Sequence, residues 1–500
     1  MDDAPSSPPL PEHHELIVIG AGFGGLGAGI RLKGAGRHDY LIIEQNRGVG
    51  GTWHANRYPG AACDIPSLLY SFSFAPNPDW SSNYPGQSEI ESYLNRCVER
   101  YQLAPHLRLR TRVTAIDWDE RAQRWTVRAE DATGAALCWT ARVIVSATGG
   151  LSRPKLPDIR GLAEFAGPVM HTARWQGEVP LAGRRIGVVG TGASAVQLVP
   201  QLVDRAAHLS LFQRTPAWVL PKRERTLSRA ERWLYERVPG LRAAARAFVY
   251  AAHELRAPGF VWKPRLLQSF EPLVLARLRR QVRDPALREA LTPRYRMGCK
   301  RILLANDFYP AVQRRNVRVV TAGIERVVAD GVVTTDGQHH PLDVLVMATG
   351  FHAAEAMSPF PVRGCQGVEL NQVWRDGARA YLGTTVPGFP NLFLLTGPNT
   401  GLAHNSMVFM IESQLRYLLD ALARMDRARL VSVDAKPEVA DAFNSDLQRR
   451  MQRTVWSTGG CTSWYQTQDG KITTLWPGTT LEYRLRTWRF RLADYVALRA

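Results

Sequence analysis

Glu15-Leu-Ile-Val-Ile-Gly20-Ala-Gly22-Phe-Gly-Gly25-Leu26 is the stretch from which the fold is read. A short apolar run ends in glycine, a glycine-rich turn follows, and Leu26 to Lys33 continues with helix-compatible residues, so the segment reads as strand, tight turn, helix. Gly20, Gly22 and Gly25 allow a sharp turn, close backbone approach to a pyrophosphate and tight helix packing, while the helix start offers N–H donors. The next strand-like run, Tyr40-Leu-Ile-Ile43, ends in Glu44, 24 residues past Gly20, where a carboxylate accepts a hydrogen bond from a ribose 2′-hydroxyl.

Arg185-Ile-Gly-Val-Val-Gly190-Thr-Gly192-Ala-Ser194-Ala195 begins a second such unit 170 residues later, with Ala195 in place of the third glycine. Its following strand, Leu209-Ser-Leu-Phe-Gln213, runs into Arg214-Thr215, and Arg214 again lies 24 residues past the first glycine. The acid has become a cation. A planar guanidinium grips a ribose 2′-phosphate that a carboxylate would repel, so this unit should take NADPH. Two dinucleotide cradles of unlike ribose preference imply FAD in the first and NADPH in the second, with hydride passing between them.

Strand-like runs before Ala147-Thr-Gly149 and Ala348-Thr-Gly350 repeat one ending and suggest crossings between two nucleotide domains. The fold class expected is α/β, with two Rossmann-like dinucleotide-binding domains and a helical insertion. Residues 1–14 would be a disordered lead-in. The FAD-binding domain would comprise 15–152 and 347–500, the NADP-binding domain 153–221 and 291–346, and the helical insertion 222–290.

A chain of 500 residues accommodates two to four such domains. The formal charge of +18 raises nucleic acid, anionic lipid or phosphorylated ligands as partners. Half of that surplus lies in 222–290, where 16 Lys/Arg face 7 Asp/Glu. No stacking aromatics or binding motif accompany the charge, so no nucleic-acid partner is expected. Peripheral membrane contact through the basic insertion stays open, although a solvated basic face over a shared core is the commoner outcome. The six cysteines are scattered without a C-x-x-C, which suggests neither a metal site nor a disulfide framework and fits a cytoplasmic location.

Gly51-Thr52-Trp53 is followed by Tyr58-Pro59 and Asp64, meeting the pattern G-x-W-x-x-x-x-[FY]-P-x-x-x-x-D. Phe165, Gly167, His171 and Trp175 meet F-x-G-x-x-x-H-x-x-x-W, with Gln176 where Pro or Asp usually follows. On these motifs the chain resembles the Baeyer–Villiger flavin monooxygenases, and the resemblance extends from about residue 15 almost to the end. It implies oxidation of a small-molecule ketone to an ester or lactone by NADPH and O2, through a C4a-peroxyflavin and a Criegee intermediate. The alternative is oxygenation at sulfur or nitrogen. Arg301 would be the catalytic arginine that stabilises the anionic peroxide, and Asp64 the acid that holds it. Gly51, Thr52, Trp53 and Tyr70 would lie on the flavin side, with Ser194, Thr215 and Lys300 on the NADP side, Lys300 at the 2′-phosphate. His171 and Trp175 would influence domain orientation. The sequence assigns neither the ketone nor the oligomeric state.

Overall fold

A computed structural model describes residues 11–353, 358–467 and 469–499. Glu12–Ile19 forms the central strand of the first sheet, with Leu16, Ile17 and Val18 wholly buried. A strand covered on both faces must be apolar at every position, which is why its sequence reads as a continuous run and not as an alternation. It pairs in parallel with Tyr40–Ile43 on one side and Ala136–Ser146 on the other. The long strand Ala136–Ser146 also pairs antiparallel with Arg124–Glu130 and parallel with Leu392–Leu394. The far end of the chain therefore completes the sheet that its beginning starts.

The second sheet is all parallel, in the order Val317–Val320, His208–Phe212, Arg185–Val189, Val344–Met347, Val169–His171. The chain passes between the sheets after each Ala-Thr-Gly. The two passages run side by side, with Lys155 N–H donating to Gly350 O at 2.9 Å and His352 N–H to Arg153 O at 3.0 Å. Between Arg229 and Ala290 the chain is a series of six helices. Among the described residues no helix is long and apolar enough to cross a membrane.

Three expectations need correction. The first strand starts at Glu12, inside the expected lead-in of 1–14, because Glu12, His13 and His14 pair with Trp139, Thr140 and Ala141 and His13 Nδ1 meets Thr140 Oγ1 at 3.0 Å. Residues 1–10 lie outside those described. Cys299 and Cys461 form a disulfide across 162 residues, a pairing that spacing along the chain could not show. Disulfides are rare in reducing compartments, so the cysteines no longer argue for one. Finally, the insertion does not present a uniformly basic face: on the helix Leu241–Glu254 every exposed residue is Leu, Ala or Phe, and Arg246 turns toward the protein.

Candidate active site

The first glycine turn is shaped by contacts that exclude side chains. A Cβ on Gly25 would lie 1.7 Å from Gly20 O, and Gly20, at φ +106°, has Ala147 O where its own Cβ would point. The helix Phe23–Gly34 begins at Gly22 with no side-chain cap, leaving its first N–H groups toward a cavity. Behind it Gly50 and Gly51, both at positive φ, lead into Thr52 and Trp53, and Trp53 Nε1–H donates to Tyr70 Oη at 3.0 Å. Glu44 is buried and occupied: its carboxylate accepts from Ala21 N–H at 2.8 Å and from the backbone and side-chain N–H groups of Asn46 at 2.9 and 2.7 Å. It therefore holds the turn in shape, a structural task beyond the ribose role expected of it.

The second turn repeats the geometry. Gly190, at φ +117°, lies against Ala348 O, and the helix Ala193–Leu202 starts at an uncapped Gly192 that has open space before it. Ala195 is fully buried in the packing of that helix. Thr191 Oγ1–H donates to Thr215 O at 2.6 Å, fixing the loop that carries Arg214. Arg214 is exposed and has no acidic partner among the described residues. Burial and the nearby Arg214 charge both lower the pKa of Lys300. Both cations line the same cavity.

Between the cradles stands one ion pair. Arg301 donates Nε–H to Asp64 Oδ2 at 2.8 Å and Nη2–H to Oδ1 at 2.6 Å, in the bidentate geometry specific to a guanidinium and a carboxylate. Burial pushes the Asp64 carboxyl upward, but the charge and hydrogen bonds of Arg301 outweigh it and hold the group below its ordinary value. The Asp64 charge, against the desolvation of the guanidinium, raises Arg301 further. The pair stays ionised through the neutral range.

One continuous cavity of about 2460 Å³ joins these parts. Every site residue expected from the sequence lines it except Gly25 and Ala195, which are buried in the packing of their turns. Leu402, Met407 and Trp464 line it as well.

A full-length comparison then decides the family: a Baeyer–Villiger monooxygenase of Streptomyces coelicolor is 45% identical over 489 residues, covering 98% of this chain and 93% of that protein. The chain belongs to the Baeyer–Villiger monooxygenases. Residues 17–239 match the family described as pyridine nucleotide-disulphide oxidoreductase. Among solved structures, cyclohexanone monooxygenase from Rhodococcus sp. Phi1 bound to NADP+ is similar at a TM-score of 0.87 and 28% identity, covering 98% of this chain and all of that one. The OTEMO complex with FAD and NADP gives the same TM-score and coverage at 27% identity. This monooxygenase is accordingly an FAD- and NADPH-dependent enzyme with two Rossmann-like domains, acting on a small molecule and O2.

Two features of this Baeyer–Villiger enzyme lay beyond sequence reasoning. Tyr58, part of the first motif, donates Oη–H to Gln197 Oε1 at 2.8 Å, and Gln197 returns Nε2–H to Ala62 O at 2.9 Å. The segment leading to Asp64 is thus docked on the helix of the second cradle. His171 is satisfied at both nitrogens, accepting from Ala173 N–H at 3.1 Å and donating to Gly350 O at 3.1 Å, so it is a neutral tie between the second sheet and the crossing. Only the motifs containing Tyr58 and His171 hinted at either contact.

Proposed function

We propose that FAD is held by 15–152 and 347–500, with its pyrophosphate against Gly20, Gly22 and Gly25 and the uncapped helix start. NADPH would be held by 153–221 and 291–346, with Arg214 and Lys300 on its 2′-phosphate, while 222–290 is an insertion. Support for the fit comes from the chain itself: a Cβ at Gly25 would strike Gly20 O, and Arg214 and Lys300 both line the cavity. Ser194 and Thr215 line the same cradle. Bound FAD, reduced by NADPH, supplies the chemistry that activates O2 for insertion beside a ketone carbonyl, giving an ester or lactone.

What the chain adds is electrostatic and steric. Arg301 cannot lose its proton, so it presents a permanent cation to the anionic oxygen species of the reaction. Asp64 takes two of its five N–H groups and leaves the others for the reacting oxygen. By holding the guanidinium plane, Asp64 acts as a positioning residue. Trp53, Tyr70 and the apolar wall of Leu402 and Met407 keep water from the reactive oxygen.

The Asp64–Arg301 pair inside a cavity shared by both cradles is the observation that carries this reading. Arg301→Ala should lower ketone oxygenation by about 10²–10³-fold, the scale on which lost oxyanion stabilisation acts, while NADPH still bleaches the flavin. NADPH consumption against cyclic, linear and polycyclic ketones and sulfides, with products identified by mass, tests this. Undiminished ester formation by the variant would overturn the role of Arg301, and oxidised sulfide as the sole product would favour the heteroatom alternative.

A further inference from the structure

The helix Leu241–Glu254 is folded inside out. All exposed positions from Leu241 through Leu255 are Leu, Ala or Phe, and Leu241, Phe248 and Leu255, spaced by seven, share one stripe. Phe248 is 75% exposed and Leu255 80%. Arg246, Tyr250 and Glu254 of the same helix point into the protein. Arg246 donates to Ser71 O at 3.0 Å, and Tyr250 Oη pairs with Thr480 Oγ1 at 3.0 Å. His253 is buried on the same side. Glu254 accepts from Asn405 Nδ2–H at 2.8 Å, Thr480 Oγ1–H at 2.9 Å and Leu481 N–H at 3.1 Å. These bonds fix how the helix is rolled, whereas an ordinary surface helix shows its arginines to water and its Phe and Leu to the core.

The apolar face does not end with this helix. The Leu481–Glu254 bond brings up the helix Thr480–Arg486, whose Leu481 and Leu485 are exposed. Trp262, Leu266, Phe270 and Leu273 are exposed on the segments that follow. Cations border these residues: Arg256 follows Leu255, and exposed Lys263 and Arg265 lie between Trp262 and Leu266. Exposed apolar surface of this extent marks a site that something covers.

We propose that this face seats on an anionic lipid bilayer. Apolar stripes that enter the acyl boundary, Lys and Arg that reach phosphate headgroups, and Trp at the margin are the chemistry of an in-plane contact. A second copy of the chain would set the exposed Arg256, Lys263 and Arg265 of one face against those of the other, which charge repulsion disfavours. The same segment backs the chamber at one remove: Phe260 and Val261 belong to the core cluster of Leu402, which lines the cavity. A ketone dissolved in the bilayer is therefore the substrate class this placement favours, and that consequence rests on the reading given under Proposed function.

The test uses FAD-loaded enzyme sedimented with phosphatidylcholine vesicles with and without phosphatidylglycerol, and the variants Phe248→Glu, Leu255→Glu and their combination. Wild type should partition to the anionic vesicles about tenfold more strongly than to the neutral ones, and less so in high salt. The double variant should lose about tenfold or more of that binding, with flavin content and the rate on a water-soluble ketone unchanged. Absence of vesicle binding by wild type, or equal binding by the double variant, overturns the proposal. So does a dimer in sizing experiments that the double variant dissociates without any vesicle binding, which would make the face a self-interface. Because the vesicle readout does not depend on oxygenation, failure here and failure of the enzymatic reading are separable.

Discussion

The two glycine turns share a backbone and differ at their edges. Gly20 N–H bonds to Ile43 O at 2.7 Å and Gly190 N–H to Phe212 O at 3.0 Å, so each first glycine is tied to the end of the next strand. Each lies against the carbonyl of an alanine in Ala-Thr-Gly, Ala147 in one sheet and Ala348 in the other. Beyond that the turns diverge. The first ends in a buried carboxylate with three hydrogen bonds to the protein, the second in an exposed guanidinium with none among the described residues. A site completed by its own chain suits a cofactor that stays, while a site of uncompensated cations suits one that brings its own charge and leaves.

The strongest break in this comparison is Gly25→Val. With Gly20 O 1.7 Å from a Cβ, the turn must open, and the purified protein should be colourless, with visible flavin absorbance lost and not regained on adding FAD. The matching position already carries a methyl group as Ala195, so Ala195→Gly should leave NADPH turnover nearly intact. Next in size is Arg214→Ala. It should raise the KM for NADPH by about 10–100-fold, the worth of a charge-assisted hydrogen bond, and leave that for NADH little changed, read from steady-state rates with each coenzyme. Glu44→Gln keeps the size but sets an NH2 donor against the N–H groups of either Ala21 or Asn46, so one set of bonds is lost with the charge, and it should weaken FAD retention by about tenfold, measured as flavin released on dilution.

The smallest effect concerns the tie between the two regions. Burial, outweighing its bond to Gly350 O, lowers the pKa of His171 below the ordinary 6.5. Its folded state therefore binds a proton less readily than the unfolded chain. The stability from neutral His171 is fully present above 6.5 and declines as the pH falls below it. His171→Asn should flatten the acid side of a plot of Tm against pH by about 2–4 °C or less.

Both turns were legible in the sequence because each is local: a strand, three small residues, a helix and a charged residue at a set distance. The Asp64–Arg301 pair was legible only through family resemblance, since 237 residues separate its members. The facing of the inside-out helix was not legible for a different reason. Leu241-Arg-Ala-Ala-Ala-Arg-Ala-Phe-Val-Tyr250 has the periodicity of an amphipathic helix, but periodicity does not say which face meets the protein. The partners of Arg246, Tyr250 and Glu254 decided that, and they come from Ser71, Thr480, Asn405 and Leu481. The disulfide between Cys299 and Cys461 likewise depends on two distant segments meeting.

By itself, the sequence determined the two nucleotide cradles and the sign of charge at each edge, because backbone conformation and ribose chemistry are set within some two dozen residues. Tertiary structure alone decided that the cradles open on one cavity, that Tyr58 and Gln197 bind one region to the other, and that Phe248 and Leu255 face outward. Those outcomes depend on burial and hydrogen bonding between segments far apart in the chain, and only the folded molecule brings such partners together.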